Sequence, residues 1–294
     1  MTIDRRAYAL GSPEDTRSRS ILKKEEIFRS PEFESLIKLI KESGKEVYSK
    51  NNIRVVSLGC SQFQRVEEQI GFALLANLYF KTDMGMAGVS ITESENGVLN
   101  FLFASNEIKA FCASKIIEDP FDRMIYYVDI QGTDPGETGK GIGKFIGERA
   151  LKHFVSHTSK LVVILARTQN PKEVGVLKGI LPEGTNLVPF WAKPSDEIVE
   201  SANWLIQSGQ ISRNARPDFR FDGHESFINW AAYGFNGDGS SWEDMTKFYP
   251  DIDWGSSAGT AMRNYAQLHG TNIPEMRLKG HSFIVGALVK NQYN

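Results

Sequence analysis

The sequence predicts an α/β fold: a mixed, largely antiparallel sheet with helices on both faces, followed by a mainly helical C-terminal extension. Three observations predict it. Between about Ala87 and Ile130, four short runs rich in β-branched and aromatic residues follow one another closely, with turn signals between them. A Gly-rich turn then joins an apolar strand to an apolar-faced helix and a further apolar strand. From Ser195 the sequence becomes aromatic, Gly-rich and Asp-rich, and helical patterns dominate. Residues 1–45 read as an N-terminal arm and helix, 46–194 as the sheet-bearing domain, and 195–294 as an extension that shapes a substrate site.

Taking the elements in order, the first twenty or so residues are polar and aperiodic, the pattern of a loose arm. The spacing of Phe33, Leu36, Ile37 and Ile40 predicts a helix from Pro31 to Ser43, with Gly44 beyond its end. A β-branched strand, Ile53 to Leu58, precedes a helical pattern that puts Val66, Ile70, Ala73, Leu74, Asn77 and Leu78 on one face. Ala87–Thr92, Val98–Ala104, Ile108–Ile117 and Met124–Ile130 read as strands, parted by Glu95-Asn96-Gly97, Ser105-Asn106 and Asp119-Pro120. After the Gly-rich turn come a helix, about Gly143 to His157, and a strand, Leu161 to Ala166, apolar enough to be buried on both faces. The extension offers helices at Asp196–Ser208, Ser226–Tyr233, Trp242–Phe248 and Thr260–Leu268, and a terminal strand, Phe283–Val289.

Composition narrows the function classes. A chain of 294 residues suits one large domain or a catalytic domain with an addition. The formal charge of -2 provides no general cationic field for nucleic acid. Two cysteines, Cys60 and Cys112, are too few for a disulfide framework or a four-ligand zinc site, and both are expected as buried thiols. The N-terminus lacks the apolar core of a signal peptide, and no stretch reaches the roughly 18 apolar residues that span a bilayer. The expectation is a cytoplasmic protein without membrane or nucleic-acid partners.

The segment that carries chemistry is Asp134-Pro135-Gly136-Glu137-Thr138-Gly139-Lys140-Gly141-Ile142-Gly143-Lys144. Glycines at alternate positions leave backbone unobstructed, so several N–H groups can converge on an anion where the helix begins. Lys140 and Lys144 either add charge to the same site or are simply solvated. A Walker loop is excluded, because Asp134 stands where its first Gly is needed and neither Gly-Lys pair is followed by Ser or Thr. A dinucleotide fingerprint needs G-x-G-x-x-G, whereas this turn is G-x-G-x-G.

The turn, set after a strand and before a helix, resembles the acyl-CoA pyrophosphate loop of GNAT-type N-acetyltransferases. The next strand, Leu161 to Arg167, followed by Thr168-Gln169-Asn170-Pro171, is similar to the strand that follows that loop in the family. The resemblance implies a V-shaped splay between two strands, filled by the pantetheine arm of acetyl-CoA or another acyl-CoA. The main chain of Ile130, Gln131, Gly132 and Thr133 would pair with the pantetheine amides. The turn, from Thr138 through Gly139, Lys140, Gly141, Ile142, Gly143 and Lys144, would hold the pyrophosphate. Asn170 would contact the arm or fix the splay, or serve only as a turn residue before Pro171. Two departures stand out. Thr138 replaces the family's usual Gln or Arg, and Lys172 to Lys178 contains no Tyr to protonate the leaving thiolate.

Direct acyl transfer needs a base for the acceptor ammonium and gains from an acid near the departing sulfur. A period of two puts Tyr127, Asp129 and Gln131 on one face of their strand and Tyr126, Val128 and Ile130 on the other. Asp129 is the candidate base, and Tyr127 or Tyr126 the candidate acid. In the extension, His224, Glu225, Tyr233 and Trp242 combine acidic, aromatic and titratable groups suited to a small-molecule or peptide amine acceptor. No metal is expected, since His224-Glu225 lacks a second His at ligand spacing. No Ser lies in a G-x-S-x-G turn and neither Cys has the local signature of a nucleophile, which disfavours a covalent acyl-enzyme. The expected activity is therefore acyl transfer from acyl-CoA to an amine in a ternary complex. Two alternatives stay open: transfer from an acyl carrier protein, as in acyl-homoserine lactone synthases, and a catalytically degenerate CoA-binding or protein-interaction module.

Overall fold

The computed structural model describes residues 23–80, 85–211, 220–230, 254–279 and 281–289. After the short helix α1 (Lys24–Phe28), α2 (Pro31–Ser43) forms at the expected bounds. The Ser30 hydroxyl accepts the Phe33 N–H at 3.1 Å, and Pro31 fills the first helical position, where no donor is needed. Strands β1 (Lys45–Lys50) and β2 (Ile53–Gly59) form a hairpin through Asn51 and Asn52, both at positive φ, which suits the right-handed twist of a two-residue connection. Helices α3 (Val66–Phe80) and α4 (Gly85–Thr92) follow, then the strands β3 (Gly97–Ala104), β4 (Glu107–Glu118) and β5 (Met124–Thr133).

Beyond the Gly-rich turn lie α5 (Ile142–Val155), β6 (Val162–Thr168), α6 (Pro171–Ile180) and α7 (Asp196–Gln207). The C-terminal part contributes β7 (Arg220–Asp222), β8 (Ser226–Trp230), α8 (Ser257–Leu268), α9 (Ile273–Leu278) and β9 (Ser282–Val289). Two expectations are corrected. Ala87–Thr92 belongs to a helix, α4; its run is apolar all round, so periodicity carried no helical signal, and it packs so closely on α3 that a Cβ at Gly88 would stand 2.8 Å from the Ala73 Cα. The described part of Ser226–Tyr233 is strand β8. The expected helix Trp242–Phe248 lies outside the described residues.

Among the described residues the sheet is nine-stranded, in the order β1-β2-β3-β4-β5-β6-β9-β8-β7. It is mixed and largely antiparallel, β5 and β6 forming the parallel pair. Helices cover both faces. On one, α5, α6 and α8 pack over Tyr126, Val162, Ile164 and Ala166. On the other, α2 and α3 cover Leu99, Phe101 and Phe111, and α7 covers Ile125, Tyr127, Val163 and Leu165. At the lower end of the sheet a buried ionic cluster fixes α7. Arg123 Nε donates to Asp119 Oδ2 at 2.9 Å, its Nη1 reaches Glu200 at 2.9 Å, and the Ser201 hydroxyl donates to Asp119 at 2.6 Å. The C-terminal residues thus supply β9, the direct neighbour of β6, as well as helices. Among the described residues no helix is long and apolar enough to cross a membrane.

Candidate functional site

The parallel pair opens at its carboxyl end. Residues of β5 and β6 pair in register from Met124↔Val162 to Val128↔Ala166, and no further. Beyond that level β5 continues to Thr133, still held on its other side by β4 through Ala113↔Ile130, Cys112↔Gln131, Phe111↔Gly132 and Ala110↔Thr133. β6 continues to Thr168, held by β9 through Arg167↔Ile284 and Thr168↔Phe283. Each strand is tied outward, so the two part as a V. Among the described residues no strand pairs with the inner edge of Ile130–Thr133, whose backbone groups are therefore available to a ligand with amides of its own.

A bulge lies just where the two strands begin to part. Pairing of β4 with β5 skips Asp129, between Ser114↔Val128 and Ala113↔Ile130. The bulge also resets the alternation of side chains and corrects the expected faces. Tyr127 packs under α7, and Ile130 packs with the α2/α3 core, so both lie on that side of the sheet. Gln131 lies on the other side with Tyr126 and Val128, and its Nε2 donates to the Gly143 carbonyl of α5.

At the mouth of the V stands the Gly-rich turn. Asp134 anchors its start, accepting the Gly136 N–H at 3.0 Å and pairing with Lys24 at 2.5 Å. Burial alone would raise this carboxyl, but the hydrogen bonds from Lys24 and the Gly136 amide hold it below its ordinary value. A single 3-10 turn, Pro135–Glu137, leads to Thr138, which is exposed. Gly139 and Gly141 adopt φ +83° and +77°, where L side chains are strained, and a Cβ on either would point into open space. The third glycine serves differently: a Cβ at Gly143 would stand 2.7 Å from Gln131 Nε2. The first helical bond of α5 runs from Phe145 N to Gly141 O, so the amides of Ile142, Gly143 and Lys144 face outward with no carbonyl a turn before them. That is the geometry of a helix start able to take an anion. Lys140 is paired with Glu137 at 3.0 Å, and the Lys144 chain lies along α6 beside Gly179.

Asn170, at the far lip, caps α6: its Oδ1 accepts the Lys172 N–H at 2.9 Å. This is the turn role before Pro171, and it fixes the end of the β6 wall.

Asp129 lies at the base of the V, on the α7 side, within the field of Lys115 on β4 and Arg167 on β6. Burial raises its carboxyl above the ordinary value, and the two cations oppose that rise. The cations also reach across the sheet: Lys115 Nζ donates to the Gln210 carbonyl at 2.9 Å and Arg167 Nη1 to that of Ile211 at 3.0 Å. Together they hold the chain after α7 against this side of the site. Sequence reasoning missed both residues, although a lone Lys inside the apolar run Phe111–Ile117 and an Arg ending the apolar β6 are the kind of signal that marks a paired charge in a strand.

The other candidates are placed differently. Tyr126 and Tyr127 are each 2% exposed, packed in cores on opposite faces, and neither ring enters the V. Burial pushes the Tyr126 hydroxyl above its ordinary range. His224 and Glu225 form the exposed turn of the β7–β8 hairpin. At about 4.8 Å per strand the hairpin is roughly 14 Å of sheet away from β5, and its turn points to the opposite end, so they are not brought to the V. Tyr233 and Trp242 lie outside the described residues. Burial pushes the Cys60 thiol up to about 12 and that of Cys112 up to about 11, so both are neutral thiols at physiological pH. Among the described residues no three His, Cys, Asp or Glu side chains converge as a metal site would need.

No family model matches this chain, and no curated protein matches it. It is similar to several solved structures of acetyltransferases. One is an aminoglycoside acetyltransferase from an uncultured soil metagenomic sample, in complex with trehalose, at 12% identity and TM-score 0.35 over 50% of this chain and 99% of that one. Another is the ribosomal-protein-S18-alanine N-acetyltransferase of Escherichia coli, at 12% identity and TM-score 0.35 over 47% of this chain and 79% of that one. A third is a ribosomal-protein-alanine N-acetyltransferase of Brucella melitensis, at 14% identity and TM-score 0.36 over 49% of this chain and 97% of that one.

Proposed function

We propose that this chain is an acyltransferase that moves an acetyl or other acyl group from acyl-CoA to an amine by direct attack in a ternary complex. The observation that carries the reading is the opening of β5 from β6 past Val128↔Ala166 with an anion-ready helix start at its mouth. The donor's pyrophosphate would lie on the amides at the start of α5, from Ile142 to Lys144. Its pantetheine arm would run down the inner edge of Thr133 to Ile130 and bring the thioester to the vertex of the V. An acceptor entering on the α7 side would meet Asp129, which takes a proton from its ammonium, and the amine so formed attacks the thioester carbonyl. Among the described residues of the site, the segment held by Lys115 and Arg167 borders that acceptor approach.

The test is calorimetric titration of the full chain with acetyl-CoA beside Gly141→Glu, which puts a carboxylate where phosphate would lie. Saturable binding that the variant abolishes is expected; no binding by the wild type would overturn the free acyl-CoA reading. One observation favours a second reading, transfer from an acyl carrier protein. Lys140 is neutralised by Glu137 and Thr138 carries no charge, so the turn offers a free nucleotide little cationic help. Thiol release from an acyl carrier protein thioester that exceeds release from acetyl-CoA would decide for it.

A further inference from the structure

A carboxyl that the mechanism above leaves unused lies on the other face of the same opening. Thr168, the last residue of β6, stands above the level at which β5 and β6 part. Its side chain falls on the α5/α6 side, as that of Ala166 does two residues earlier. The Thr168 hydroxyl accepts the Asn170 N–H at 2.9 Å and donates to Glu173 Oε2, in the first turn of α6. An acid three residues after a helix cap often returns to the cap's own amide. Here the Thr168 hydroxyl has taken that amide, so capping does not account for where Glu173 lies. Burial raises the Glu173 carboxyl above its ordinary value, and the Thr168 hydroxyl is all that opposes the rise.

Direct transfer expels a thiolate and needs a proton for it. The tyrosines of β5 are sealed in the cores, and α6 contains no Tyr. We propose that Glu173 is the acid that protonates the departing sulfur. The proposal rests on the acyl-CoA reading. Two residues along β6 rise about 6.6 Å, which would set the carboxyl above a thioester at the vertex, within reach of its sulfur through one bridging water. Base and acid then flank the reacting carbon from opposite faces of the sheet, Asp129 from the α7 side and Glu173 from the α6 side. As the C–N bond forms, the C–S bond breaks and the Glu173 proton passes to sulfur, giving the free thiol. The new amide nitrogen sheds its surplus proton to water, and the Glu173 carboxylate recovers one from solvent.

The experiment compares wild type, Glu173→Gln, Glu173→Asp and Thr168→Val as full chains, by calorimetry with acetyl-CoA and by thiol release to a broad amine panel or, without an acceptor, to water. Glu173→Gln is expected to bind acetyl-CoA as the wild type does and to release thiol about 100-fold more slowly. Glu173→Asp should restore part of the rate. The wild-type rate should fall at high pH as Glu173 ionises. Glu173→Gln should lack that limb, and Thr168→Val should move it to higher pH, because the lost hydroxyl had stabilised the carboxylate. A merely structural Glu173 would move none of these limbs. The proposal is overturned by a wild-type rate in Glu173→Gln with binding intact, or by a rate loss matched by an equal loss of acetyl-CoA affinity. Absence of binding in the wild type would instead overturn the donor site itself.

Discussion

Replacing Gly141 by Ala separates the cost of backbone strain from the loss of a ligand contact. Gly141 sits at φ +77° with nothing within 4 Å of an added Cβ, so Ala there meets no clash and incurs the left-handed conformation alone. That strain is worth about 1–2 kcal/mol, which for a protein of this size lowers Tm by roughly 2–8 °C. Gly270 provides the control, at φ +72° with equally open space, beyond the end of α8 and not in the turn. Both variants should lose the same stability in thermal melts followed by circular dichroism. Only Gly141→Ala puts a methyl group over the start of α5, where phosphate oxygens would meet the amides. Losing one such charge-assisted bond costs about 1.5–3 kcal/mol, and calorimetry should show acetyl-CoA affinity reduced roughly 10- to 150-fold. Wild-type affinity in Gly141→Ala, or an equal loss in Gly270→Ala, would refute the placement of the pyrophosphate.

Other outcomes follow from the same geometry. Asp129→Asn should leave acetyl-CoA affinity unchanged and slow thiol release to amines about 100-fold or more; because burial raises this carboxyl, the wild-type rate should decline with falling pH from above the ordinary value of 3.8, a limb the variant lacks. Glu173 also links stability to pH. A folded carboxyl raised above 4.5 favours the protonated native state, so its stabilising contribution is present below that value and is lost as pH rises through the raised one. Urea midpoints measured across pH should therefore fall in wild type relative to Glu173→Gln as pH increases. Asp119→Ala removes one of the two carboxylates that hold the buried Arg123 at 2.9 Å, leaves Glu200, and should cost about 1.5–3 kcal/mol in urea denaturation; a loss under about 1 kcal/mol would mean that the pair behaves as a surface one.

Where elements were amphipathic or punctuated, the sequence showed them. The bounds of α2 follow from Ser30, Pro31 and Gly44, and the order of β5, α5 and β6 from the change of period around the glycines, but β5 runs on to Thr133 and β6 to Thr168, past the expected Ile130 and Ala166. Elements without clear amphipathic periodicity were missed: α4 is apolar enough to read as a strand, and β1, Lys-Glu-Val-Tyr-Ser-Lys, is a polar edge strand that the sequence did not mark. In the site, Gly139 and Gly141 were legible because backbone conformation is written in residue type. The bulge at Asp129 was not, because nothing local marks which residue a partner strand will skip. For the same reason the faces of Ile130 and Gln131 were exchanged, and the approach of Lys115, Arg167 and Glu173 to the opening, which depends on pairing across distant segments, stayed hidden.

The position of β9 has a consequence for how the chain comes into being. The inner strand of the opening, β6, leaves the ribosome more than a hundred residues before the strand that covers its outer edge. At synthesis rates of about 5–20 residues per second, Val162–Thr168 waits on the order of ten seconds as an apolar, unpaired border. A nascent chain in that interval has its Gly-rich turn and Asp129 encoded yet lacks the strand that ties the outer side of β6. Shape of the cleft and synthesis of β9 are thus coupled. Interruption before β9 would leave an adhesive outer edge on β6 beside an unsupported cleft.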